Sequence, residues 1–470
     1  MRSALVLAGY LYDYRLAFRY GKETLALLYE VSGFALAARL GRYLGKRVAF
    51  LVGMLTATLR RVVSPNALRG PPALVALRYF VRSAMGMLGV SATSLDGVGA
   101  GEILRMLEPL AGAPSVTSGR MIYLSCRALA LGLLGREADH RHAMVDALRE
   151  VRSGRRRDMS EFEYRALLAG LLMSDGLNET TRENSKALEQ ADTIESLGTA
   201  IAYIGALRIR SIYYARRGDA ARAEHYRNLL GLQAIQGGTV WQGEWFSVPN
   251  EGAAAASWSD LVVLRRSLDR MRLLAAEVPP LARIYEGMRV TYHFRRGEYE
   301  RGAELGAQYV ANHPPRTLTG WSSCYGVVAL CYVEIGQAQK ARALCEHALA
   351  QVSNEDLSYF VLYTPLEVAY ATAIAMTGEP ERGKALMQQK IERIREHGEH
   401  STLVIVYQYQ ARMARLLGDR ELLAQSLQAM REAALMSGLP AVILLATRVA
   451  ELQTGNRSSP LPPPSAPLDS

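Results

Sequence analysis

The chain has 470 residues, 49% of them hydrophobic and 21% charged, which is ample material for a core and excludes global disorder. Its formal net charge is +10, and its four cysteines, Cys126, Cys324, Cys331 and Cys345, are too few and too scattered for a disulfide scaffold, so a reducing cytoplasm is expected. No apolar run reaches the roughly eighteen residues of a membrane span, and the opening Met1 to Gly9 runs into Tyr10, Tyr12, Asp13 and Tyr14, unlike a signal peptide.

The charge sits at one end. The first 95 residues hold thirteen Lys and Arg against Asp13, Glu23 and Glu30, so the rest of the chain sums to zero. Residues 1–95 therefore read as a basic helical lobe. Arg39, Arg42, Lys46, Arg47, Arg60 and Arg61 lie in or beside apolar helical sequence, which suits an anionic membrane surface, an acidic protein partner, or a solvated basic face. Nucleic acid is disfavoured, because no aromatic-interleaved motif accompanies these residues. The immediate apolar start, Leu5, Val6 and Leu7, lacks a polar capping unit and predicts a covering domain or self-association through the N-terminal face. Within the lobe, Gly41-Arg42-Tyr43-Leu44-Gly45-Lys46-Arg47 is one residue short of a P-loop and has Arg where magnesium needs Ser or Thr.

From Asp96-Gly97 onward a turn signal recurs at Gly135, Gly176, Gly218, Gly297, Gly336, Gly378 and Gly418, at spacings of 38, 41, 42, 79, 39, 42 and 40 residues. The double interval predicts a hidden turn at Ser257-Trp258-Ser259-Asp260, an N-cap ahead of Leu261-Val262-Val263-Leu264. Counting back through Gly21 gives about eleven helix pairs. Between turns the apolar residues keep helical spacing, as in Ile209-Ile212-Tyr213 and Leu403-Val406-Tyr407, and nothing alternates as a strand would. Short turns force antiparallel pairs, and each pair exposes an apolar face that only the next can cover. The expected fold is all-α: a right-handed α-solenoid over residues 96–455, drawn out as a curved rod on the order of 100 Å long. The Pro-rich tail 456–470 is expected to be disordered or polyproline-like.

The units resemble tetratricopeptide repeats lengthened to about forty residues. A small residue follows the turn by five at Ala223, Gly302, Ala341 and Gly383, where paired helices touch, while His140 and Thr181 replace it in two units. A large residue precedes the turn by four at Tyr214, Tyr332 and Ile374, with His293 departing from the pattern. Phrases such as Leu16-Ala17-Phe18-Arg19-Tyr20-Gly21 are similar to the C-terminal helical arm of large bacterial STAND-type signalling proteins. That resemblance implies a sensor arm or scaffold, with a serine/threonine kinase or ATPase as a partner, in a bacterial cytoplasm or at the membrane periphery.

Catalytic constellations are not found. Gly97-Val98-Gly99-Ala100-Gly101 follows no strand, and Asp139-His140-Arg141-His142 lacks the companions of a kinase catalytic loop, so a non-enzymatic protein without cofactor or metal is expected. His397 and His400 flank Gly398, which reads as a helix end, and the cysteines read as packing residues. An α/α toroid with a central carboxylate pair is the enzymatic alternative. The most individual stretch is 236–250, where glycines interrupt the pattern and Trp241, Trp245 and Phe246 gather. It is expected to be a long loop, either plugging the irregular joint or anchoring a partner.

Overall fold

A computed structural model describes residues 118–454, with breaks at 156–158, 160, 181, 183, 237–239, 278 and 359, together with parts of 101–112. Among the described residues there are seventeen α-helices and no strand. In chain order they are α1 Ser118–Leu133, α2 Glu137–Arg152, α3 Glu161–Glu179, α4 Lys186–Glu195, α5 Ala200–Arg216, α6 Ala220–Gln236, α7 Val240–Ser257 and α8 Leu261–Glu277. They continue as α9 Pro279–Arg296, α10 Tyr299–Asn312, α11 Trp321–Glu334, α12 Ala338–Leu349, α13 Phe360–Met376, α14 Pro380–Glu396, α15 His400–Leu417, α16 Arg420–Ser437 and α17 Pro440–Thr454. The α-solenoid expected from the sequence is the fold observed.

The turn glycines act through one hydrogen-bonding device. Gly218 has φ +69°, its N–H donates to Ala215 O at 3.1 Å, and the N–H of Asp219 donates to Tyr214 O at 3.0 Å. This closes the helix with a left-handed residue that costs glycine nothing. The pair of bonds recurs at Gly135, Gly297, Gly336, Gly398 and Gly418. Tyr214, His293, Tyr332 and Ile374 are therefore the residues whose carbonyls accept from the N–H that follows the turn glycine. Acidic residues after the turn cap the next helix: Asp219, Asp260 and Asp419 accept from the backbone N–H three residues on at 3.0, 3.1 and 3.0 Å. The hidden turn is where it was expected, with Ser259 at φ +57° in the role that glycine plays elsewhere.

One beat was misplaced. Gly176 lies inside α3, and the following turn falls near residues 180–185. Gly176 serves packing instead, because an added Cβ would come within 2.5 Å of Ile209 Cδ1. The small-residue register is physical: a Cβ at Gly302 would lie 2.7 Å from Cys331 Sγ, one at Gly383 would lie 2.5 Å from Ala371 O, and Ala341 is fully buried. Where His140 replaces the small residue, Gly132 on the facing helix makes the room, and His140 Nδ1 meets Ala128 O at 2.7 Å. Thr181 lies outside the described residues.

Consecutive odd-numbered helices pack directly on one another, while no two even-numbered helices make a substantial contact among the described residues. A stack whose one layer touches and whose other layer splays must curve toward the first, so the odd helices line the inner side. They are apolar nearly all round, as in α11 and α13, whereas α8, α14 and α16 are amphipathic and face solvent on one side.

The curvature is tighter than the open rod expected. The α1–α2 turn reaches across nearly two hundred residues to the edge of α11 and α13. Trp321 Nε1 donates to Gly135 O at 3.3 Å, Tyr363 OH donates to Glu137 Oε2 at 2.6 Å, and Ala138 N donates to Asp356 Oδ1 at 2.8 Å. Gly218 likewise abuts Ala441 at the start of α17. The stack thus completes a turn in five to six pairs and seals edge to edge, because pairs with small residues at their contacts can approach and rotate closely.

Candidate functional site

The inner side is the candidate site, built from the ends of α5, α9, α11 and α15 near the turns within each pair. In α5, Thr199 caps the N-terminus by accepting from Ala202 N at 3.2 Å, and the helix carries Arg208, Arg210 and Arg216, with Arg217 as its C-cap. Arg210 donates to Asp192 at 2.7 Å and Glu195 at 2.6 Å. The guanidinium of Arg217 lies 3.5 Å from the Tyr213 ring centroid and donates to the carbonyls of Arg182 and Tyr213. Tyr214 stacks on Tyr226 with centroids 5.7 Å apart. Arg208 is only 8% exposed, and burial pushes its pKa down to about 10; for Arg216, burial and then the neighbouring Arg217 do the same.

Farther along, Arg412 of α15 crosses the inner side. Its guanidinium lies 4.5 Å from the ring centroid of Phe294 and 5.0 Å from that of Tyr299, and it bonds to the Tyr299 hydroxyl and to Glu334. Arg415 joins Glu334 at 2.9 Å. Residues from α9, α10, α11 and α15 are thereby tied into one polar and aromatic cluster.

The sealed edge is the second polar cluster. Glu137 is 7% exposed, and burial raises its pKa, opposed by the Tyr363 hydrogen bond and reinforced by Asp356. Asp356 also accepts from Ser353 N at 3.0 Å, and Arg316 lies 3.7 Å from Asp356 and 3.4 Å from Asp139. Trp321, Tyr325 and Tyr363 meet edge to face beneath it, with Trp321 5.5 Å from Tyr325 and 6.3 Å from Tyr363.

The stretch expected as a loop at 236–250 is helical from Val240, with Pro249 inside α7. Gly243 thus stands inside a helix, and just beyond the stretch Gly252 packs against the Met288 side chain, whose Cε would lie 2.8 Å from an added Cβ. The side chains of Trp241, Trp245 and Phe246 lie outside the described residues, as do Arg39, Arg42, Lys46, Arg47, Arg60 and Arg61. His397 caps the end of α14 and His400 begins α15, while the four cysteines are buried thiols. Among the described residues no group of three or more His, Cys, Asp or Glu is placed to hold a metal, and no helix is long and apolar enough to cross a membrane. Sequence reasoning missed the Arg412 cluster and the sealed edge, whose partners are 78 to 226 residues apart. No local spacing signals such pairs.

No protein-family profile and no curated protein matches the chain. Solved structures similar to it include the APC/C hetero-tetramer Cut9-Hcn1, at 10% identity, covering 97% of this chain and 94% of that one, with a TM-score of 0.33. Yeast Tom70 is similar at 12% identity, covering 97% and 96%, with a TM-score of 0.35. The P58(IPK) TPR domain is similar at 11% identity, covering 91% and 99%, with a TM-score of 0.22.

Proposed function

We propose that the protein is a non-catalytic scaffold that holds another protein against the inner helices of its solenoid. One observation carries this reading: residues from α9, α10, α11 and α15, far apart in sequence, converge through Arg412 on a single inner surface rich in Arg and Tyr, the residue types that anchor protein partners. A continuous stack of hairpins offers area for recognition. The resemblance of the helical phrases to STAND-type arms supports a finer reading, a sensor or assembly arm in a bacterial cytoplasm whose partner is a kinase or ATPase acting in trans.

A second reading rests on the charge asymmetry. The basic lobe 1–95 docks the protein on an anionic membrane surface or an acidic partner, while the solenoid supports it. Affinity capture from the native cytosol separates the two. The full chain is compared with a variant in which Arg39, Arg42, Lys46, Arg47, Arg60 and Arg61 are changed to Gln, each washed at low and high salt. A protein retained by both at high salt supports the inner-surface scaffold. Retention of partners or lipids that is lost in the variant, or washed away by salt, supports the lobe.

A further inference from the structure

The turn register gives each pair an equivalent inner position, two residues before the residue that closes the odd helix in the left-handed conformation. From α5 to α11 these positions are occupied by Arg216, Ser257, Arg295 and Glu334, preceding Gly218, Ser259, Gly297 and Gly336. Glu334 is answered from across the inner side by Arg412 and Arg415. Arg216 and Arg295 are answered by no counter-charge: among the described residues neither makes an ion pair, Arg295 has only the Phe294 ring at 5.8 Å, and Arg216 Nη1 and Arg295 Nε are buried without a hydrogen-bond acceptor. Both residues are half-buried, so part of each stays accessible. A guanidinium withdrawn from water without a counter-charge is costly, and chains keep such groups where an anion completes them.

We infer that the inner edge formed by α5, α7 and α9 receives an extended acidic segment of the partner protein, whose carboxylates complete Arg216 and Arg295. This inference rests on the scaffold reading and names the partner's chemistry. Adjacent pairs are about 8–10 Å apart, so two steps span roughly 20 Å, which an extended peptide covers in about six residues. Two cations so far apart match a chain with spaced carboxylates and not the unbroken phosphate ladder of a duplex, which carries one charge per about 1.7 Å. Guanidinium groups pair with carboxylates bidentately, so the two positions select acids over other polar side chains.

The test uses the full chain and a fluorescein-labelled ten-residue peptide of alternating Glu and Ser, with its Gln-Ser counterpart, at about 150 mM salt. The Glu peptide is expected to bind saturably and the Gln peptide not to bind. The R216Q/R295Q variant should bind at least tenfold more weakly, whereas R149Q/R152Q, on α2, should match the parent chain. The Glu peptide should raise the urea midpoint of the parent chain and leave that of R216Q/R295Q unmoved, and the variant alone should unfold at no lower urea than the parent. Failure of the Glu peptide to bind, equal binding by R216Q/R295Q, or loss of binding only when the six basic residues of the lobe are neutralised overturns the inference. So does a preference for single-stranded DNA or phosphatidylserine vesicles that depends on Arg216 and Arg295. A cytosolic partner captured equally by the parent chain and by R216Q/R295Q overturns the acidic segment and leaves the scaffold standing. Capture of no partner at all, with the peptide bound as expected, removes the scaffold alone.

Discussion

From α9 to α17 the buried residues form one continuous interior, running from Val290 and Phe294 through Trp321, Tyr325 and Tyr363 to Val449 and Ala450. Among the described residues, α7 and α8 form a smaller cluster with α9: Val248, Ala255, Ala256, Leu264, Leu268, Met271 and Tyr292. The pairs share a topology, but beside its turn α7 carries Ala253 to Ala256 where α11 carries Leu330 to Val333, and alanine removes less apolar area from water. Nearby, Leu232 of α6 and Val262 and Leu273 of α8 stay exposed, Leu273 at 70%. A repeat architecture thus fixes the path of the chain more firmly than the strength of each joint, and a weak joint opens first.

The largest effect should come from the tight half. Gly326 of α11 lies so close to α13 that a Cβ would meet Leu366 N and Pro365 C at 2.3 Å, and these are backbone atoms that cannot swing aside. Gly326→Ala would gain about 1 kcal/mol of helix propensity but force the two helices apart, so a net loss of about 3 kcal/mol is expected in urea unfolding. The same change at Gly231 of α6, where a Cβ would meet nothing within 4 Å, should instead gain up to about 1 kcal/mol. Equal effects at the two sites would mean that α11 and α13 are not in contact as described.

The sealed edge gives the next effect, through pH. The pKa of Glu137 is raised in the folded chain, chiefly by burial, so its contribution is fully present below the unfolded carboxylate value near 4.5 and is lost as pH rises through the folded value. His140, whose pKa burial lowers, works in the opposite sense, since the neutral ring it favours is lost in acid. Glu137→Gln keeps an acceptor for Tyr363 while abolishing the charge. The difference in urea midpoint between this variant and the parent chain should therefore grow with pH from 5 to 8, in favour of the variant. Tyr363→Phe, which strips a buried carboxyl of its donor, should cost about 1–3 kcal/mol at neutral pH. A flat difference for Glu137→Gln would show that the edge is open in solution.

Hydrogen exchange compares the two regions directly. Amides of α7 and α8 should exchange at least about tenfold faster than those of α11 and α13, since the apolar cluster of their described residues is smaller and Val262 and Leu273 stay exposed. Uniform protection would place the two joints at the same stability.

What the sequence made legible was local and periodic. Helix closure at Gly218, the small contacts at Gly302 and Gly383, and the hidden turn at Ser259 all follow from short-range chemistry. Gly176 defeats the turn signal because glycine serves both turns and close packing, and only its neighbours on other helices, Ile209 and Gln190, distinguish the two. The helix across Trp241 to Pro249 runs through Gly243 and Pro249, residues whose low helix propensity reads locally as a loop. The inner cluster and the sealed edge depend on how far the stack curves, a sum of small rotations at every joint that no single segment encodes.

Ser259 offers the smallest and sharpest test of the weak joint. It closes α7 at φ +57°, where an L side chain is strained by about 1–2 kcal/mol, although the same turn carries glycine at Gly218, Gly297, Gly336 and Gly418. Its own N–H still donates to Ala256 O at 3.3 Å and that of Asp260 to Ala255 O at 2.9 Å, so the hydrogen bonds of the turn are complete and only the side chain opposes it. Glycine would relieve that strain but cost some entropy in the unfolded chain, leaving a net gain of about 1 kcal/mol. Because the gain belongs to the joint, Ser259→Gly should slow exchange in α7 and α8 while leaving α11 and α13 unchanged. Slower exchange in both regions alike would mean that they unfold as one cooperative unit and that the joint at α7–α8 is not a separate weak point.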